Sequence, residues 1–270
     1  MNNAQRVIKY VTIVIAVCLT ISIITGILTT VGAIFGISTL IDVANGVVET
    51  KNYTNEYANI QSIEIDASAM SLEIIPVDES EVSILKIQAT DVPTDYKFEQ
   101  EHDKLEINGK KVASNTKLVI YLPTTVSNLD IDVGAGDIQI KDINIVEFNL
   151  DTGATESNIQ NLTVTSKAEI DAGTGEIIIN DSNISNLDID AGVGNLEYTG
   201  HLNGVSDIDC GVGNVELNLK GTEAMYKITA EKGIGELKIN GNKVSGTQTV
   251  GNGTNIVKLS GGIGSLSITY

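Results

Sequence analysis

Apolar and polar positions alternate with a period of two through the second half of this chain, and the alternation is interrupted by glycines. In LDIDAGVGNLEYTG (187–200), Leu187, Ile189, Ala191 and Val193 share one face, whereas Asp188, Asp190 and Gly192 share the other. Beyond the glycines Leu196 and Tyr198 return to the inner face and Glu197 to the outer, which predicts two short strands joined at a glycine corner. Glycines, β-branched residues and the two-residue period all oppose a helix here.

The stretch is one of a series. LDIDVGAGDIQI (129–140), FNLDTGATESNI (148–159), AEIDAGTGEIII (168–179), LDIDAGVGNLEY (187–198) and SDIDCGVGNVEL (206–217) align, and weaker copies follow in ITAEKGIGELKI (228–239) and VKLSGGIGSLSI (257–268). Their leading glycines, Gly134, Gly153, Gly173, Gly192, Gly211, Gly233 and Gly262, are separated by steps of 19, 20, 19, 19, 22 and 29 residues. A near-constant step of this size is the mark of a solenoid. At ~3.3 Å per extended residue a coil of this length has a perimeter of about 63 Å, enough for two or three sides. The sequence therefore predicts an all-β fold, a single-stranded parallel β-helix with coils of about 19–20 residues. Pro76, Pro93 and Pro123 all lie outside the repeats, where every strand needs its N–H for the neighbouring coil. Cys210 falls at the inward position held by Ala172 and Ala191 in other copies and reads as a small core residue.

Two regions are less regular. IEIDASAMSLEI (63–74) is a degenerate copy with Ser68 and Met70 in the glycine places, followed by strands in VSILKIQA, YKFEQE, KLEING and KLVIYLP. NGNKVSGTQTVGNGTN (240–255) reads as an extended loop or decorated coil.

No residue from Tyr10 to Ile41 is charged, a run of 32. As one helix it would reach about 48 Å against a hydrocarbon core of roughly 30 Å. It is too long for the apolar region of a cleaved signal peptide and lacks a clear cleavage site, so it predicts one uncleaved transmembrane helix. Arg6 and Lys9 precede it and Asp42 and Glu49 follow, which places the N-terminus in the cytoplasm and the remainder outside a bacterial cell membrane, as a single-pass protein. Gly32 and Gly36 form a GxxxG step, readable as a helix-pairing motif or as a flexible exit from the bilayer. The expected organisation is a cytoplasmic tail (1–9), a transmembrane anchor (10–41), a linker (42–54), irregular N-terminal coils (55–128) and regular repeats (129–270).

The net charge of −18 excludes nucleic acid as a partner. With no Trp, three Phe and eight Tyr, aromatic platforms for sugars or bases are scarce. Cys18 and Cys210 have no metal-site spacing and are poorly placed to pair with each other.

Stacked in register, the outward positions of the repeats would form columns. One runs Asp132, Asp151, Asp171, Asp190, Asp209, Glu231, Ser260; its neighbour runs Asp130, Asn149, Glu169, Asp188, Asp207, Thr229, Lys258. Carboxylates about 4.8 Å apart repel by roughly 0.9 kcal/mol per pair in water, so something should offset the cost. One reading is local: each Asp accepts from a backbone N–H two residues on, in an Asx turn that fixes the glycine corner. The other makes Asp132, Asp151, Asp171, Asp190 and Asp209 a ladder that binds Ca²⁺ or a cationic peptide. Calcium-binding nonapeptide repeats differ, with a shorter period and Asp after the glycines. The G-x-G pairs have neither a following helix nor a phosphate-binding lysine. His102 and His201 sit in expected loops and form no catalytic motif. Polysaccharide processing by paired acids would need two differentiated carboxylates, and identical acids on every coil offer none. The sequence thus predicts a non-enzymatic protein with no catalytic residues and no obligate cofactor.

KLVIYLPTTVSNLDIDVGAGDIQI (117–140) resembles the segment that marks a bacterial family of membrane-anchored proteins, LiaG-like and named "putative adhesin", of unknown function. The likeness covers residues 55–270 and implies a right-handed parallel β-helix whose first irregular coils precede Leu122 and Pro123. It also implies a structural or interaction role at the cell envelope, in adhesion or in the response to envelope stress, with an envelope protein, surface ligand or cationic peptide as partner. No catalytic residue comes with it.

Overall fold

The computed structural model describes residues 48–77 and 83–270. The expected cytoplasmic tail and transmembrane anchor, with Cys18, lie outside the described residues. Among those described, no helix is long and apolar enough to cross a membrane.

The period-two alternation becomes strand almost everywhere it occurs. In chain order the elements are β1 (Thr50–Ala58), β2 (Ser62–Pro76), β3 (Ile84–Pro93), β4 (Lys97–Glu101), β5 (Lys104–Gly109), β6 (Lys117–Leu122), β7 (Asn128–Lys141), β8 (Asn144–Gln160), β9 (Thr163–Ser185), β10 (Leu187–Asn203) and β11 (Val205–Leu219). A short 3-10 turn at Glu223–Met225 precedes β12 (Tyr226–Ile234), β13 (Leu237–Ile239), β14 (Asn242–Val244), β15 (Gln248–Val250), β16 (Asn255–Ile263) and β17 (Leu266–Thr269). The protein is all-β and solenoid-like: β7 through β11 stack as successive parallel coils, offset by 19 or 20 residues. Within β10 three paired stretches, 187–191, 193–198 and 200–203, follow one another along the coil.

The register builds the core. Ile65, Ile131, Leu150, Ile170, Ile189 and Ile208 lie in one fully buried column. Cys210 sits beside Ala191 in the neighbouring coil and is buried, as its inward position predicts. Corners need left-handed backbone, which Asn and Asp tolerate better than other side-chain-bearing residues. Asp142, Asn161 and Asp181 all adopt it, with φ between 53° and 55°. The Asn161 amide donates to Asp142 Oδ1 in the adjacent coil at 2.7 Å.

Both ends depart from chain order. At the N-terminal end β2 lies between β7 on one side and β5 with β6 on the other, so the degenerate copy is an internal coil. At the C-terminal end β16 and β17 pair with β11 on one edge and with β12 and β13 on the other. The last coil in sequence is therefore the penultimate one in space, and the expected column order Asp209, Glu231, Ser260 becomes Asp209, Ser260, Glu231. The steps of 22 and 29 residues supply the chain needed to pass over a coil and return. Antiparallel strands cover the terminal coils: β4 on β5, β3 on β6, β14 on β13 and β15 on β12. Covering an exposed edge in this way blocks end-to-end pairing with other chains. The stretch 240–255, expected as a loop, contributes β14 and β15.

Candidate functional site: an acidic face

The two predicted columns share one side of the solenoid. Asp132, Asp151, Asp171, Asp190 and Asp209 are consecutive register partners, with one carboxylate per coil. Asp66 of β2 pairs with Asp132 and lengthens the ladder to six acids. Its missing glycines disguised it, although Asp66 holds the repeat position of the other aspartates. Glu64, Asp130, Asn149, Glu169, Asp188 and Asp207 form the neighbouring column. Here Asn149 donates to Asp130 Oδ1 at 2.9 Å, which relieves one carboxylate contact.

Cations lie at the margins. Lys110 Nζ is 3.8 Å from Asp66, Lys258 Nζ is 3.0 Å from Asp207, and Lys167 Nζ is 2.5 Å from Glu169. Among the described ion pairs none involves Asp132, Asp151, Asp171, Asp190 or Asp209. Residues 128–219 carry 17 acids against two lysines, Lys141 and Lys167, so most of the protein's net charge resides in these coils. The carboxyls respond accordingly. Partial burial, then the neighbouring Asp190 and Asp151, pushes the Asp171 carboxyl above its ordinary value. Burial followed by Asp151 and Asp66 does the same to Asp132, and burial followed by Asp190 and Glu169 to Asp188.

The expected Asx clasps are not among the hydrogen bonds of the described residues. Glycine is required at the corner for a different reason, the close approach of successive coils. A Cβ on Gly192 would lie 2.5 Å from the Gly173 carbonyl oxygen. At Gly194 it would lie 1.7 Å from the Gly175 oxygen, and the backbone there has φ +154°. The bare glycine column leaves a shallow trough of about 480 Å³, walled by Asp151, Asp171, Asp190 and Asp209 and floored by small residues such as Ala172 and Ala191. A similar trough follows past Asp209 to Ser260 and Glu231.

Other expected positions resolve differently. His102 lies in the tight turn between β4 and β5, with φ 57°, whereas His201, expected in a loop, lies in β10 opposite Asn183. Among the described residues no group of three or more His, Cys, Asp or Glu side chains converges as a metal site. One carboxylate per coil, each separated from the next by a strand spacing, explains why the ladder does not form such a cluster. A second acidic column, Asp137, Glu156 and Glu176, occupies the next side and continues into Asn195 and Asn214. Its signal in the sequence is the residue immediately after each second glycine position.

A family model described as Toastrack DUF4097 matches residues 60–252. No curated protein sequence matches the chain. Among solved structures, a "putative cell adhesion protein" from Clostridium sporogenes is 16% identical, with 82% of this chain and 99% of that one covered and a TM-score of 0.31. A "putative adhesin" from Bacteroides fragilis is 14% identical, with 82% and 98% covered and a TM-score of 0.42. A "putative lipid binding protein" from Parabacteroides distasonis is 12% identical, with 81% and 96% covered and a TM-score of 0.29.

Proposed function

This chain belongs to the Toastrack DUF4097 family, and from that premise we propose that it is a non-enzymatic interaction module of the bacterial cell envelope. In this reading residues 10–41 anchor it in the cell membrane with the N-terminus in the cytoplasm, and the solenoid is displayed outside. Its acidic face takes a cationic peptide or a lysine-rich segment of an envelope protein, in adhesion or in the response to envelope stress.

The observation that carries the reading is the in-register ladder Asp132, Asp151, Asp171, Asp190 and Asp209, which has no cation against it. Repeated like charges cost stability, and an extended polycation would neutralise several at once while adding its own contacts. This arrangement suits a polyvalent partner better than Ca²⁺, whose six to eight oxygen ligands must converge on one point. It suits catalysis least, because every coil repeats the same group.

The test is titration of residues 49–270 with a lysine-rich peptide at about 20 mM and about 300 mM salt. The proposal expects binding that weakens steeply as salt rises. An absence of binding at the lower salt contradicts it. For the anchor, a membrane-impermeant maleimide on intact cells is expected to label a cysteine placed at the exposed Asn195, and protection of that cysteine contradicts the outward orientation.

A further inference from the structure

The inverted order of the last two coils has a physical correlate on the acidic face. Stacked in sequence order, β12 would follow β11, bringing Glu231 against Asp209 and Thr229 against Asp207. In the observed order Ser260 lies between Asp209 and Glu231, and Lys258 lies beside Asp207, its Nζ 3.0 Å from Asp207 Oδ2. The inserted coil thus ends the run of carboxylates with a hydroxyl and a cation. The other end has a parallel device, where Lys104 bridges Glu64 at 2.5 Å and Glu106 at 2.7 Å.

The cores of the two exchanged coils differ little at the paired positions. Val257 and Leu259 of β16 stand beside Ile228 and Ala230 of β12, and Leu266 and Ile268 of β17 beside Leu237 and Ile239 of β13. Apolar packing alone discriminates weakly between two such coils, whereas their outward residues carry opposite instructions. We propose that Lys258 and Ser260 specify the coil order, directing β16 and β17 between β11 and β12 so that the acidic ladder is terminated.

Crosslinking distinguishes the two orders. Glu216 is the register partner of Ser267 in the observed arrangement, and Lys238 is the next partner beyond. A disulfide needs Cα atoms within about 7 Å, so a 216–267 pair can form and a 216–238 pair, two strand spacings or roughly 9.6 Å apart, cannot. In sequence order Lys238 would take the place beside Glu216. Both cysteine pairs are placed in the full chain carrying Cys18→Ser and Cys210→Ala, with the natural outward residues or with the exchange T229K/E231S/K258T/S260E. The natural chain is expected to form the 216–267 link alone. In the exchanged chain the ratio of the two links is expected to move at least about fivefold towards 216–238, because the charges now favour the other order. An unchanged ratio in a folded exchanged chain overturns the proposal. The single variant S260D is read beside it and keeps the test decisive if the exchange does not fold. By placing a carboxylate between Asp209 and Glu231 it is expected to lower the melting temperature at low salt, with recovery at high salt. No such fall overturns the proposal equally.

Discussion

Asp171→Asn raises the stability of the solenoid if the ladder is an uncompensated row of charges. Asp171 has Asp151 and Asp190 as register partners. At about 4.8 Å each neighbour repels it by roughly 0.9 kcal/mol in water. At 0.15 M ionic strength, where the Debye length is about 8 Å, the figure falls to about 0.5 kcal/mol. Two neighbours give about 1 kcal/mol, or a rise of about 2–4 °C in melting temperature for a domain of this size. The substitution can also add a hydrogen bond of the kind that Asn149 makes to Asp130. The sign with pH follows from linkage. Because the Asp171 carboxyl is raised above the ordinary 3.8, the folded state binds its proton more readily than the unfolded chain. The wild-type penalty is therefore full above the raised folded value and shrinks as the pH falls through it towards 3.8. Thermal melting of wild type and variant at neutral and acidic pH, each at low and high salt, checks this. A variant that melts lower than wild type at every salt concentration refutes the reasoning, since the carboxylate would then be holding a contact that the ladder geometry lacks.

Other substitutions probe the framework. Gly194→Ala introduces a Cβ 1.7 Å from a carbonyl oxygen at a backbone φ of +154°, and urea denaturation is expected to show a loss of more than about 3 kcal/mol. Ser206 is fully buried and its hydroxyl has no partner, so Ser206→Ala is expected to be neutral or stabilising by up to about 1 kcal/mol in the same assay. Ile189→Ala, in the central column, is expected to cost about 2–5 kcal/mol. The Cys210 thiol is buried, and burial raises its pKa, so a thiol reagent is expected to react with it at the rate of unfolding; fast labelling under native conditions would contradict its core placement.

How much could be read from the sequence depended on what each residue reports. The alternation around Ile170, Ile189 and Ile208 reports facing, and the step of 19 or 20 residues reports register, so the core and the five-member ladder were legible together. Asp66 was legible in position but hidden by Ser68 and Met70, because the coil beneath Gly134 and Gly136 need not itself carry glycine. The order of the last coils was not legible from facing, since VKLSGGIGSLSI and ITAEKGIGELKI have the same pattern. Its trace lay in the longer steps before Gly233 and Gly262 and in Lys258, the one cation among the outward positions of the ladder columns. The corner role assigned to the aspartates failed because close carbonyl contact between coils is a property of the stack and leaves no mark on a single repeat.

The central claim, that the Asp ladder is the contact surface, is tested most directly by comparing two charge-matched triple variants in the lysine-rich peptide titration. One is D151N/D171N/D190N on the ladder, and the other is D137N/E156Q/E176Q on the adjoining side. The account predicts that the ladder variant loses roughly tenfold in affinity at low salt and that the adjoining variant changes by less than about threefold. Equal losses in the two variants would contradict it, because the peptide would then be reading net charge and not the ladder.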